Sequence, residues 1–120
     1  DGCSVYVYNT NTGARVLRVE PYCQGRDCAA PWSVPQPQAD QLRVASDRRG
    51  ANQFLAARRT PAGAVQLMRF PLDGSCHGAL APVGVPVGVP AGAAFEPVSL
   101  GGKAALVYVD ASDALKVYVP

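Results

Sequence analysis

The sequence ALVYVDASDALKVYV, residues Ala105–Val119, alternates apolar and polar side chains on either side of a short polar turn. Two earlier stretches repeat the pattern: SVYVYNTNTGARVLRV, residues Ser4–Val19, and QFLAARRTPAGAVQLMRF, residues Gln53–Phe70. Because successive side chains of a strand point to opposite faces, a period of two indicates strands with one buried face. Each stretch therefore predicts a β-hairpin, and together they predict an all-β protein.

Shorter segments between the hairpins add to the predicted strands. Gln41–Ser46, Cys76–Ala81 and Ala94–Leu100 are apolar enough for one strand each, and VGVPVGVP at Val83–Pro90 fits an edge strand whose prolines block one edge. Pro21–Gln38 carries too many prolines for a helix and predicts a long surface loop. The total of about eight or nine strands predicts an antiparallel sandwich or a small barrel.

The spacing of the hairpins favours a second architecture. They begin about 50 residues apart, near the period of propeller blades, and in pattern they resemble such blades. A chain of 120 residues supplies fewer than three blades. This alternative therefore requires hairpin repeats that close by oligomerisation.

Composition sets limits on the class of protein. A length of 120 residues predicts a single all-β domain over residues 1–120, and an apolar content of 48% excludes disorder. The net charge of +2 neither predicts nor excludes an anionic partner. No apolar run of 18 residues occurs, so we expect no membrane span. The chain begins at Asp1, from which we expect a mature secreted protein or an excised domain.

Four cysteines in a small strand-rich chain favour disulfides and an oxidising compartment, either secreted or periplasmic. The short spacing in CQGRDC favours a local Cys23–Cys28 bridge, which leaves Cys3 to pair with Cys76, although three pairings are open. Zinc is the competing interpretation. We do not expect a metal, because Cys76 and the adjacent His77 would point to opposite faces of a strand.

No catalytic constellation is present in the sequence. His77 is the only histidine, no G-x-S-x-G motif occurs, and Gly101-Gly102-Lys103 lacks the spacing of a phosphate-binding loop. Most acidic residues fall in predicted turns, where aspartate hydrogen-bonds the backbone. We therefore expect no enzyme, no catalytic residue and no cofactor.

Arginines cluster in the middle third of the chain, and nine of the eleven basic residues are arginine. The cluster consists of Arg43, Arg48, Arg49, Arg58, Arg59 and Arg69. Binding of single-stranded nucleic acid needs stacking aromatic residues interleaved with the charges, and this cluster lacks them. We expect a solvated face rather than a nucleic-acid site.

Tyrosines mark the better candidate surface. Tyr6, Tyr8, Tyr108 and Tyr118 alternate with valines in the two terminal hairpins, so each hairpin has a valine face and a tyrosine face. If the hairpins lie side by side, the four phenols form a strip suited to a sugar or a protein. The competing interpretation is that the proline-rich loop, with Trp32, covers this strip.

The loop closed by Cys23 and Cys28 is the second candidate surface. If bridged, it presents Arg26 rigidly, as an inhibitor of a trypsin-like protease would, or it is only a structural staple. These observations predict a secreted or periplasmic, non-enzymatic binding module for a protein or carbohydrate partner. The alternatives are an inhibitor of a secreted hydrolase acting through the Cys23–Cys28 loop and an oligomeric sugar-binding lectin.

Overall fold

All regular structure in the described part of the chain is β-strand. The computed structural model of the protein describes residues 3–9, 11, 15–21, 32–36, 42–47 and 53–120. Within these residues every strand pairing is antiparallel and no helix occurs, which confirms the all-β prediction. The described residues accordingly contain no helix long and apolar enough to cross a membrane.

The first sheet has three strands in chain order. They are β1 (Cys3–Asn9), β2 (Arg15–Pro21) and β3 (Trp32–Gln36). Val5 lies opposite Val19 and Val7 lies opposite Leu17, so these four side chains share one face of the sheet. The predicted hairpin Ser4–Val19 is confirmed.

The third strand of this sheet corrects the sequence analysis. The surface loop predicted over Pro21–Gln38 is wrong for Trp32–Gln36, which pairs antiparallel with β2 and sets Pro35 opposite Val16. Proline is tolerated in an edge strand because an N–H on the outer side has no ladder partner to lose. Pro35 is therefore compatible with a strand at the edge of the first sheet.

The second sheet is built around the Gln53–Phe70 hairpin. Its strands are β4 (Leu42–Ser46), β5 (Gln53–Arg59), β6 (Ala64–Pro71), β7 (Ala81–Pro82) and β8 (Val87–Gly88). The order is β4-β5-β6-β7, and β8 pairs with β6 as well. The predicted strand Gln41–Ser46 and the second hairpin are both confirmed within a residue or two.

The predicted edge strand Val83–Pro90 is present only in part. Val87 pairs with β6 at one end, Ala81–Pro82 pairs with β6 at the other, and the chain between them arches away. Gly84 allows the arch, because its φ is +70° and a Cβ there would overlap the hydroxyl of Tyr118. Val85, at the top of the arch, is exposed.

The third sheet contains the predicted Ala105–Val119 hairpin and the predicted strand at Ala94–Leu100. Its strands are β9 (Phe95–Leu100), β10 (Lys103–Val109) and β11 (Leu115–Tyr118), in the order β11-β10-β9. Val107 lies opposite Val117 and Val109 lies opposite Leu115.

Among the described residues, three tight turns have the same backbone hydrogen bonds. They begin at Thr60, Asp73 and Asp110. In each, the first N–H donates to the fifth C=O, at 2.7, 2.8 and 2.9 Å respectively, and the fourth N–H donates back to the first C=O. The fourth residue has a positive φ in every case: Gly63 at 88°, Cys76 at 61° and Asp113 at 61°.

The turn at Asp73 explains why the predicted strand Cys76–Ala81 is wrong. The Asp73 carboxylate accepts hydrogen bonds from the backbone N–H groups of Ser75 at 2.8 Å and His77 at 3.0 Å. These bonds and the left-handed conformation of Cys76 hold the chain in a turn. Only an isolated bridge between Leu72 and Gly78 follows before β7.

The second sheet is buried on both faces, so the three sheets pack in layers. One face packs against the valine face of the first sheet in a core of buried residues: Leu17, Val19, Leu42, Ala56, Met68, Phe70 and Cys76. The opposite face packs against the third sheet through Leu55, Ala57, Val65, Leu67, Phe95, Ala104 and Leu106. The described strands form open sheets packed face to face and do not close into a barrel.

A disulfide joins the first and second layers. Cys3, at the start of β1, is bonded to Cys76 in the turn after β6, across 73 residues of sequence. This confirms one of the two predicted bridges and supports an oxidising compartment. The predicted Cys23–Cys28 bridge lies outside the described residues.

Candidate binding surface

Tyr6 and Tyr8 lie together on the outer face of the first sheet. Val5 and Val7 turn inward from the same strand, so alternation directs the two phenols outward. Their ring centroids are 5.9 Å apart, with the ring planes tilted by 35°. The two residues are 39% and 37% exposed, which leaves a large aromatic surface accessible to a partner.

An ion pair on β2 completes this surface, which we call the tyrosine face and define as Ser4, Tyr6, Tyr8, Arg18 and Glu20. Arg18 lies opposite Tyr6 and Glu20 lies opposite Ser4 in the hairpin. The Arg18 Nε donates to Glu20 Oε1 at 2.7 Å. Neither charged residue was among the predicted site residues, although the register of the predicted hairpin places both beside the tyrosines.

Hydrogen bonds tie the tyrosines to this ion pair and shift the pKa values of Tyr6, Arg18 and Glu20. Partial desolvation, followed by a hydrogen bond to Glu20, raises the pKa of the Tyr6 phenol. The Arg18 guanidinium, followed by the Tyr6 hydroxyl, lowers the pKa of Glu20. Hydrogen bonds to Glu20 and then to Tyr8 raise the pKa of Arg18. The tyrosine face therefore carries one full positive and one full negative charge near neutral pH, which cancel.

The other two tyrosines of the predicted strip lie in a different sheet. Tyr108 and Tyr118 are half-buried and pack against the core between the second and third sheets. The Tyr118 hydroxyl accepts a hydrogen bond from the backbone N–H of Val85 at 3.0 Å. The structure thus brings Tyr6 and Tyr8 together and places Tyr108 and Tyr118 in another layer, where Tyr118 also supports the Gly84 arch.

Other predicted site residues fall wholly or partly outside the described structure. Arg26, Cys23 and Cys28 lie outside the described residues, so the proposed inhibitory loop stays a prediction. Trp32 is the first residue of β3, and its side chain is outside the description.

The arginine cluster contributes to packing between the second and third sheets. The guanidinium groups of Arg43 and Arg59 lie 5.7 and 5.6 Å from the centroid of the Phe95 ring. Arg59 also donates to the carbonyl oxygens of Val89 at 2.7 Å and Pro90 at 3.2 Å. Arg43 and Arg59, which were expected on a solvated face, are therefore partly buried and bound within the protein. Arg48 and Arg49 of the same predicted cluster lie outside the described residues.

Two aspartate carboxylates hold turns in the described part of the chain. Asp110 Oδ1 accepts from the N–H groups of Ser112 at 2.8 Å and Ala114 at 3.0 Å, as Asp73 does in its own turn. No group of three or more His, Cys, Asp or Glu side chains that could hold a metal ion occurs among the described residues.

A groove separates the edge of the first sheet from the second sheet. It has a volume of about 380 Å³ and lies between β1 and β4. Its walls include Val5, Tyr6, Val7, Leu42, Arg43, Val44, Ala45, Ser46 and Phe54. The volume is at the lower end of small-ligand sites, and Tyr6 makes the groove continuous with the tyrosine face.

The outer face of the β10–β11 hairpin in the third sheet is aliphatic and open to solvent. We call it the aliphatic face and define it as Val107, Val109, Leu115 and Val117, which the hairpin register sets in two opposed pairs. Leu115 is 71% exposed and Val117 is 52% exposed. Contiguous exposed apolar side chains mark interaction surfaces on soluble proteins.

Comparison of the chain with protein-family models, with curated proteins and with solved structures found no match.

Proposed function

We propose that this protein is a secreted or periplasmic, non-enzymatic binding module whose tyrosine face contacts a protein partner. The observation that carries the proposal is the exposed pair Tyr6 and Tyr8, set beside the Arg18–Glu20 ion pair on the outer face of the first sheet. Tyrosine and arginine are enriched at protein interfaces because they combine apolar area with hydrogen-bonding groups.

The charge and rigidity of this face favour a protein over a charged ligand. Arg18 and Glu20 neutralise each other, so the face offers no excess charge for a phosphate or sulfate group. Both tyrosines are held by the hairpin and by hydrogen bonds to the ion pair, which lowers the entropy lost on binding. The Cys3–Cys76 disulfide, which suits an oxidising compartment, supports a secreted or periplasmic site of action.

The arrangement of layers supports a blade-like architecture for the module. Three antiparallel sheets follow one another in chain order and pack face to face, as neighbouring propeller blades do. In such an array the outer faces of the first and last sheets are the natural contact surfaces.

The test is site-specific photo-crosslinking in the natural host. Replacement of Ser4 by p-benzoylphenylalanine puts the reactive group on the tyrosine face and retains both tyrosines. The matched control puts it at Val85, which is 63% exposed and away from this face. We expect a polypeptide adduct from position 4 and none from position 85. If position 4 gives no polypeptide adduct, while a glycan array shows binding that Tyr6→Ala abolishes, the partner is a carbohydrate and the proposal is wrong.

A further inference from the structure

The same face-to-face contact occurs twice in this chain. The valine face of the first sheet packs on one face of the second sheet, through Val5, Val7, Leu17 and Val19. The other face of the second sheet packs on the third sheet in the same way, through Ala57, Val65 and Leu67. Each sheet thus contacts the next one along the chain with the same side of its central hairpin.

The aliphatic face is the same side of the third sheet, and none of the described sheets packs on it. Counting from the hairpin turns, Val107, Leu115 and Val117 occupy the positions that Ala57, Val65 and Leu67 occupy in the second sheet. Val65 and Leu67 are fully buried, whereas Leu115 and Val117 are 71% and 52% exposed. The aliphatic face therefore has the composition of a sheet-to-sheet contact without its partner sheet.

The tyrosine face is the opposite half of such a contact. In the second and third sheets, the side facing the preceding sheet is buried and includes Phe54 and Phe70 in one and Phe95 and Leu106 in the other. In the first sheet, the corresponding side is the tyrosine face, which is aromatic, neutral overall and exposed. Among the described sheets, the aliphatic face thus remains exposed on the side that would contact a following sheet. The tyrosine face remains exposed on the side that would contact a preceding one.

We infer that the partner of the tyrosine face is a second copy of this chain, which packs its aliphatic face there, and that two copies close head to tail into a ring. This inference rests on the proposed function and names its partner. Two copies supply six sheets, within the four to eight blades over which propellers close. A head-to-tail contact that closes on itself produces a finite particle rather than a fibre.

The chemistry of the two faces agrees with this arrangement. Contact with the tyrosine face would remove the exposed apolar area of Leu115 and Val117 from water, which is favourable. The neutral Arg18–Glu20 pair brings no unpaired charge into contact with valine and leucine.

Sedimentation velocity across a concentration series tests the inference. We expect the unmodified protein to sediment as two copies, twice the chain mass of 12.5 kDa. Val117→Glu should weaken the association at least about tenfold, because it places a charge in an apolar contact. Leu115→Glu, at the more exposed position, repeats the test if Val117→Glu fails to fold by circular dichroism. Val85→Glu, the same change off this face, should associate normally.

Mixing of variants distinguishes head-to-tail packing from packing of like faces. Val117→Glu alone and the double variant Tyr6→Ala, Tyr8→Ala alone should each lose the two-copy species. An equimolar mixture should restore it in part, because one of its two contacts then pairs an intact tyrosine face with an intact aliphatic face. If the tyrosine variant still dimerises fully while Val117→Glu does not, two aliphatic faces meet each other and the inference is overturned.

Two further outcomes also overturn it. They are a single-copy mass at every concentration and a mass that grows beyond two copies as concentration rises. The photo-crosslink at position 4 separates the two proposals: an adduct with a different protein retains the proposed function and removes this inference, whereas an adduct with the same chain supports both.

Discussion

Arg69 donates a hydrogen bond from Nε to Oδ2 of Asp47 at 2.9 Å, and the Asp47 side chain has no exposed surface. Asp47 follows β4 and Arg69 lies on β6, so the pair ties together two strands that are not neighbours in the second sheet. A buried carboxylate that loses a cation retains its desolvation penalty, and the attraction that offset it is reduced.

Arg69→Met should therefore lower the free energy of unfolding by about 3 kcal/mol, toward the lower end for a broken buried pair because Arg69 is itself partly exposed. Urea denaturation measures the change. Lys103→Met, the same kind of substitution at an exposed residue of β10, should change stability by less than about 0.5 kcal/mol. Equal effects of the two substitutions would show that the pair does not stabilise the fold.

Removal of the Cys3–Cys76 bridge should destabilise the protein through its unfolded state. The bond closes a loop of 73 residues, for which chain entropy gives an upper estimate of about 4 kcal/mol. The double variant Cys3→Ser, Cys76→Ser isolates this bond, whereas a reducing agent would act on every disulfide. Urea midpoints of the variant and the unmodified protein measure the difference, and coincident midpoints would contradict the prediction.

Gly63 provides a clean test of the shared turn. Its φ is +88°, and a Cβ there would meet no atom within 4 Å, so the effect of Gly63→Ala comes from backbone strain alone. We expect a loss of about 1 kcal/mol. Gly74 lies in the corresponding turn at Asp73 without a positive φ and in equally open space, so Gly74→Ala should be neutral or stabilising by about 0.5 kcal/mol. Thermal unfolding of the Gly63→Ala and Gly74→Ala variants measures both changes in stability. Equal losses of stability in the two variants would rule out backbone strain as the cause.

Stability should fall in acid as the turn carboxylates protonate. Hydrogen bonds from His77 and then Ser75 lower the pKa of Asp73, and those from Ala114 and then Ser112 lower the pKa of Asp110. Because the aspartate pKa is lower in the folded protein, this stabilisation is complete above the aspartate pKa of the unfolded chain, near 3.9. It is lost as the pH falls through the lower pKa of the folded protein.

The double variant Asp73→Asn, Asp110→Asn should show a smaller loss of stability between neutral pH and pH 3, because an amide oxygen accepts the same bonds and does not titrate. Thermal melts over this range measure it. Asp73→Ala, Asp110→Ala serves as the control and should be less stable at every pH, since it lacks the acceptors. If the asparagine variant loses as much thermal stability between neutral pH and pH 3 as the unmodified protein, groups other than these two carboxylates cause the pH dependence.

Local alternation predicted the hairpins because the two strands of each are close in sequence and share one turn. The same alternation does not predict which sheets pack against each other. Tyr108 and Tyr118 follow the same valine–tyrosine pattern as Tyr6 and Tyr8. Tyr108 and Tyr118 nevertheless pack against the core, whereas Tyr6 and Tyr8 are exposed. The difference arises from which layer covers each face, and periodicity along a strand carries no information about that.

Two predictions from the sequence are wrong for reasons that lie close by in the chain. Prolines at positions 35 and 37 favoured a loop, whereas an edge position makes Pro35 compatible with β3. The strand predicted over Cys76–Ala81 is replaced by a turn, because the Asp73 carboxylate accepts hydrogen bonds from two backbone N–H groups. In both cases hydrogen-bond partners, rather than side-chain hydrophobicity, decided the structure.

The described layers stack in the order in which the polypeptide encodes them, and the core clusters of the described residues join each sheet to its neighbour in sequence. Gain or loss of one unit of about 50 residues, by gene duplication or deletion, would therefore lengthen or shorten the stack and leave the other junctions unaltered. A fold assembled in this way can change its size during evolution without redesigning its interior.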